Sequence, residues 1–260
     1  MVKIGIIGGS GVYDPKMFED SEDIAINTPY GAPSDMITTG KFKGVDIVFI
    51  PRHGKNHTIN PTNVNYKANI HAMKELGVTH ILAPGTSGSL QEEIRPGDFV
   101  FSDQFIDRTT KRKSTFYDEN QVCHIGISEA TCPDLRKILS EKAEKLGLRY
   151  HKSGTNICME GPRFSTRAES ELYRSWKAKT INMTMVPECV LAREAEICYA
   201  TIMMVTDYDV WRDSDVSIDV ILKVMSENIE KVKKLISEVI PAIPDKRVCG
   251  CKDALKNALI

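Results

Sequence analysis

Lys3-Ile4-Gly5-Ile6-Ile7-Gly8-Gly9-Ser10-Gly11 opens with an apolar run that breaks into glycine and serine. The run shows little polar alternation, which marks a strand buried on both faces. Four more segments read the same way: Val45–Ile50, Val78–Ala83, Asp98–Phe101 and the long Ile197–Thr206. Helical periods lie between them. Asn65–Leu76 sets Ile70, Met73 and Leu76 on one stripe, and Cys132–Leu146 does the same with Leu135, Ile138, Leu139, Ala143 and Leu146. A last amphipathic stretch, Ser217–Val239, has Ser217 as its N-cap. Buried strands separated by amphipathic helices predict an α/β fold whose sheet is covered on both faces. With no repeat or linker in 260 residues, one domain over 1–260 is expected, with 241–260 as a surface tail.

Composition narrows the function. Lys and Arg (34) nearly balance Asp and Glu (35), so no basic excess points to nucleic acid. No run reaches the roughly 18 apolar residues of a membrane span. The first residues lead straight into a strand without the pattern of a secretion signal, so a cytoplasmic protein is expected. Seven cysteines are too scattered for a secreted disulfide scaffold, and no Cys-x-x-Cys pair announces a zinc ribbon. No metal is expected. Cys249-Gly250-Cys251 reads either as two exposed thiols or as a local disulfide.

Three polar segments follow strand-like runs. Gly8-Gly9-Ser10-Gly11 lacks the spacing of a dinucleotide fingerprint and the lysine of a nucleotide-binding P-loop. A short phosphate-binding turn and a plain structural turn both remain. In Pro51-Arg52-His53-Gly54-Lys55-Asn56-His57, Arg52 can fork onto an oxyanion and His53 can add a donor. His53 and His57 have the i, i+4 spacing of a metal pair, but Pro51 and Gly54 make the segment a loop. Ala83-Pro84-Gly85-Thr86-Ser87-Gly88-Ser89 reads as a third loop rich in backbone N–H groups and hydroxyls. All three would meet at one edge of the sheet, where α/β proteins bind ligands.

Thr206-Asp207-Tyr208-Asp209 ends the longest strand-like run. If extended geometry continues, both carboxylates face one space, and paired acids raise one another's pKa. A protonated acid could donate to a purine N7 while its partner accepts from an exocyclic amine. Two solvated turn acids are the alternative.

Six segments in order, IGIIGGSG (4–11), PRHG (51–54), DQFIDRT (103–109), EGPRFSTRAE (160–169), NMTMVPE (182–188) and VTDYDVW (205–211), resemble the 5′-methylthioadenosine phosphorylases. These belong to the trimeric purine nucleoside phosphorylase superfamily. The resemblance implies a single phosphorylase/hydrolase-like α/β domain built on a mixed, partly barrel-like sheet flanked by helices. It implies phosphorolysis of 5′-methylthioadenosine to adenine and 5-methylthioribose 1-phosphate, with inorganic phosphate as co-substrate and no cofactor. It also implies a homo-oligomer, a trimer or dimer of trimers, with sites near the subunit interfaces.

Carried over by motif, phosphate falls to Ser10, Arg52, His53, Gly85, Thr86 and Thr184. The ribose falls to Met183, the base to Phe164, Ser165, Asp207 and Asp209, and the 5′ group to Ile218 and Ile221. Asp207 and Asp209 would be the catalytic pair. His124 would reach in from a neighbouring subunit. One departure is Pro84-Gly85-Thr86-Ser87, where the family has Thr-Ala or Asn-Ala before Gly-Ser. Likeness to archaeal members implies disulfides between Cys132 and Cys198 and between Cys249 and Cys251. A phosphorylase of 6-oxopurine or broad purine nucleosides, methylthioinosine included, and a non-catalytic nucleoside-binding protein are the alternatives. Two acids, rather than an Asn at position 207, suit a 6-amino base.

Overall fold

The computed structural model describes residues 2–9, 11–12, 18–212 and 218–260. The side chains of Ile218, Val220 and Ile221 lie outside that description, as do Ser10 and Ser217. Among the described residues eleven strands form one mixed sheet: β1 (Lys3–Gly8), β2 (Glu19–Ile24), β3 (Ile37–Phe42), β4 (Val45–Pro51), β5 (His80–Ser89), β6 (Phe99–Val100), β7 (Gln104–Arg108), β8 (Tyr150–His151), β9 (Thr155–Met159), β10 (Thr180–Asn182) and β11 (Cys198–Asp207). The helices are α1 (Tyr66–Glu75), α2 (Pro133–Lys145), α3 (Arg167–Ser175), α4 (Met185–Glu194) and α5 (Ile218–Val239).

Alternation along the strands sorts side chains to two faces. On β4, Val48 and Ile50 join one core with Ile70 and Met73 of α1 and Cys189 and Leu191 of α4. Ile47 and Phe49 join the other, with Leu135 and Leu139 of α2 and Val232 and Leu235 of α5. The expected sheet covered on both faces is therefore present. Gly5 makes the close approach of α1 possible, since a Cβ there would stand 2.8 Å from Met73 Sδ.

The sheet branches at β5. Its first half pairs in parallel with β1 on one side, from Ile4↔His80 to Ile6↔Leu82, and with β11 on the other. Its far end pairs antiparallel with β10, Thr180↔Ser89. This corrects the reading of 83–89 as a loop. Pro84 is tolerated in the strand because it lies just past the last β1 pair, where ladder pairing on that side has ended.

The tail is docked rather than loose. Cys251 and Ala258 are buried, Arg247 donates to Glu196 O, and His124 N donates to Ala258 O at 2.7 Å. All seven cysteines are free thiols. The implied pairs are thus not formed in this structure. Instead Cys132, Cys198, Cys249 and Cys251 bring all four sulfurs together, and Cys198 Sγ stands 3.4 Å from Cys249 Sγ.

Candidate active site

A cavity of about 250 Å³ opens where β1, β4, β5 and β11 end. Gly9, Arg52, His53, Gly85, Thr86, Met183, Thr184, Phe164, Asp207 and Asp209 all line it. The three polar segments thus converge as expected, although the third does so as strand. A wider polar groove of about 920 Å³ around Tyr30, Lys67 and Asp118 gathers none of these residues.

Arg52 does not present its fork to the cavity. Its Nε and Nη2 donate to the two oxygens of Glu188, Nη2 also to Ile7 O, and Nη1 to Pro84 O. Both ion-pair partners are buried, and Tyr199 donates a further hydrogen bond to Glu188. Burial works against the Arg52 charge, and Glu188 outweighs it. A guanidinium has five N–H groups. Four are engaged, which leaves one on Nη1, near the Gly85 backbone that lines the cavity. The expectation of a two-pronged grip on an anion is corrected to a single N–H from a charge already neutralised.

His53 is held by Ile59, whose carbonyl lies 2.9 Å from Nδ1 and so takes that proton. Burial, then the Arg52 charge, lowers its pKa to about 4. The ring is neutral near pH 7, and Nε2 is an acceptor rather than the donor expected. His57 stacks on it at 4.5 Å between ring centroids. Thr184 precedes α4 with no side-chain cap bond; its Oγ1 accepts from Asn182 Nδ2, and among the described residues its proton has no acceptor, which suits it to donate to a ligand.

The two acids meet, but not by strand alternation. β11 shifts register between Val205 and Asp207 opposite Gly88, and ends there. Asp209 sits in a turn with φ of 51°, and its N–H donates to Asp207 Oδ1 at 2.8 Å. Thr206 Oγ1 donates to Asp207 Oδ2. Gly88 gives them room, since a Cβ there would lie 3.0 Å from Asp207 Oδ1. Burial raises the pKa of both acids. The hydroxyls of Ser170 and Ser165 lie within reach of the Asp209 carboxylate, while Ser87 Oγ is buried with no hydrogen-bond partner among the described residues. Such orphans are uncommon, and Ser87 belongs to the wall of the cavity.

The residues 3–241 match the family model of the phosphorylase superfamily. The chain belongs to the phosphorylase superfamily. It is 53% identical over 260 residues to the S-methyl-5′-thioadenosine phosphorylase of Pyrococcus abyssi, covering all of both chains. It is 51% identical to that of Nitrosopumilus maritimus, covering 99% of this chain and 98% of the other. Among solved structures, a Schistosoma mansoni methylthioadenosine phosphorylase in complex with adenine superposes with a TM-score of 0.93 at 38% identity, over 98% of this chain and 96% of that one. A methylthioadenosine phosphorylase from an antarctic soil metagenomic library gives 0.95 at 40%, over 100% and 92%.

Several positions of this superfamily chain escaped the sequence reading. Glu188 is one, although an acid amid Met185-Val186-Pro187-Cys189-Val190-Leu191 was a visible anomaly. Arg112 is another: its guanidinium donates to Met183 O, Val186 O and Glu160 O, fixing the segment that carries Met183 and Thr184. Nothing in its local sequence marked it. Ser165 is buried behind the cavity wall, its hydroxyl near Met159 Sδ and within reach of the Asp209 carboxylate. His124 is absent from the cavity lining and its backbone pairs with the tail. Ser10 and the Ile218 and Ile221 side chains fall outside the described residues.

Proposed function

We propose that this chain cleaves 5′-methylthioadenosine with inorganic phosphate, giving adenine and 5-methylthioribose 1-phosphate. One observation carries the reading: a single cavity holds anion-binding groups (Arg52 Nη1, Thr86, Thr184) together with two buried acids of raised pKa. Relatives that bear the name of this activity, over the full chain, support it.

The chemistry follows from the charges. A phosphate oxygen bonds to C1′ as the C1′–N9 bond breaks, the electron pair passes to the purine, and a proton from Asp207 settles on N7. Positive charge grows on the ribose beside bound phosphate, and negative charge on the base beside an acid. Both interactions strengthen toward the transition state, which is what accelerates a reaction. Asp209, on the cavity wall, is suited when ionised to accept from the exocyclic amine. Met183 provides a wall for the sugar. Phe164 flanks the base, and Ser165 supports it from behind. No step calls for a metal or organic cofactor.

The reading includes a homo-oligomer in which His124 enters a neighbour's site, and a cytoplasmic location. No helix among the described residues is long and apolar enough to cross a membrane. Methylthioadenosine, adenosine, inosine and methylthioinosine, each with and without phosphate, form the deciding panel. Base release from methylthioadenosine only when phosphate is present is the expected result. Release without phosphate would mean a hydrolase, binding without release would mean a carrier, and preference for inosine would overturn the choice of base.

A further inference from the structure

Four sulfurs outside the cavity take no part in the chemistry above. Cys132 caps α2, Cys198 opens β11, and Cys249 and Cys251 sit at a 3-10 turn, Gly250–Asp253, in the tail. Their Sγ atoms all lie within 4.8 Å of one another. Cys132, Cys198 and Cys251 are buried in the core that α2 and α5 share, with Cys249 packed against it. Arg193 Nη1 donates to Cys251 Sγ at 3.4 Å.

We propose that the reduced chain holds one thiophilic d10 cation, of which Zn²⁺ is the type, on the sulfurs of Cys132, Cys198, Cys249 and Cys251. Tetrahedral zinc with bonds of about 2.3 Å places its sulfurs about 3.8 Å apart. The cluster brackets that spacing, with the Cys198–Cys249 pair at 3.4 Å and an outer limit of 4.8 Å. Four ligands close the coordination sphere, which makes this a structural site without an open position. The ion displaces four thiol protons and needs no oxidant or reductant. The resulting excess negative charge faces the Arg193 guanidinium. Two of the ligands come as Cys-x-Cys and two from distant segments, so the spacing rule that looks for Cys-x-x-Cys passes over them.

The ion would fasten the tail to α2 and β11. The same tail pairs with the segment around His124: Val122 N donates to Ile260 O, Ile260 N to Val122 O, and Cys123 bridges Leu259. Disulfide formation and metal binding are mutually exclusive at these sulfurs.

Reduced protein, freed of reductant without oxygen, is titrated with Co²⁺ and then Zn²⁺. One equivalent of Co²⁺ should develop sulfur-to-cobalt charge transfer and the visible bands of tetrahedral cobalt, and Zn²⁺ should bleach them. Cys249→Ser, at a half-buried turn, should weaken binding by about tenfold or more, while Cys123→Ser leaves it unchanged. Zinc should slow hydrogen exchange at residues 258–260. The proposal is overturned by a folded, reduced protein that gives no tetrahedral thiolate spectrum, or whose spectrum is indifferent to Cys249→Ser. Two disulfides among these four that persist under reductant would overturn it as well, since no thiolates would remain.

Discussion

Glu188 clasps Arg52 from behind, with Nε–Oε2 at 2.7 Å and Nη2–Oε1 at 2.9 Å, and Glu188 is wholly buried while Arg52 keeps only a sliver of surface on the cavity. The phosphate end of the cavity therefore has an arginine but no net positive charge from it. Anion binding rests on directed N–H and O–H groups more than on bulk field.

Arg52→Ala should consequently do more than weaken phosphate. It leaves the Glu188 charge buried alone, a situation that costs about 3–5 kcal/mol. Both phosphate saturation and denaturant midpoint should suffer. Arg52→Met combined with Glu188→Leu should recover most of the stability and none of the phosphorolysis. A stable, fully folded Arg52→Ala protein would show that the pair is not the anchor described.

Asp207→Asn should cost about 100-fold or more on 6-amino purine nucleosides, the usual worth of a positioned acid. Activity on 6-oxo nucleosides should fall less, because an amide can donate to O6. The kcat/KM ratio between the two is the measurement, and a parallel fall would exclude a role in base choice. Stability should hold at neutral pH. A carboxyl whose folded pKa is raised stabilises the fold only below its unfolded value and loses that as pH climbs through the folded one. Near pH 7 the acid is a burden, and the amide relieves it.

His53 predicts one pH effect and the absence of another. Its folded pKa of about 4 lies below the ordinary 6.5. The unfolded chain thus takes up the proton first as pH falls, and stability drops between 6.5 and about 4, by up to about 3 kcal/mol. His80, lowered to about 4 by burial and by Arg247, adds to the same window. Thermal melts across that range are the check. With Nε2 as an acceptor, His53 can take a hydrogen bond from H2PO4− or HPO4 2−, since both carry a proton. His53→Phe should raise the phosphate KM, and His53 itself should add no pH step to that KM between about pH 6 and pH 8 because its ring stays neutral there.

The His124 reading has its own test. Since His124 stands away from its own cavity, a His124→Ala chain and an Arg52→Met/Glu188→Leu chain should each be weak alone. Mixed oligomers of the two should regain part of the activity, because some sites would carry both intact groups. Mixed oligomers without any recovery would place His124 outside catalysis.

Much of this was legible in the sequence because burial dictates it. β1 matched its apolar run residue for residue, and α1, α2 and α5 kept within a residue of their periodic stretches. β2 was not legible, since Glu19–Ile24 is charged and exposed and carries no apolar signal. Residues 84–89 misled because proline and glycine announce a turn, whereas tertiary pairing with β11 keeps them extended. Thr184 came only with the family resemblance, whereas Arg52 and the Asp pair could be picked out from residue type and position. The engagement of Arg52 with Glu188 could not be, because it joins residues 136 positions apart and only folding brings them together.

The branch at β5 bears on how the chain is made. This strand needs partners synthesised before it and long after it: Thr201 of β11 reaches back 118 residues to Ala83. During translation the β5 edge stays open until most of the chain has left the ribosome. Contacts of such long range form slowly, and an unpaired apolar edge invites other chains. A truncated product that stops before residue 198 should therefore be found in aggregates or on chaperones, not as a smaller soluble protein.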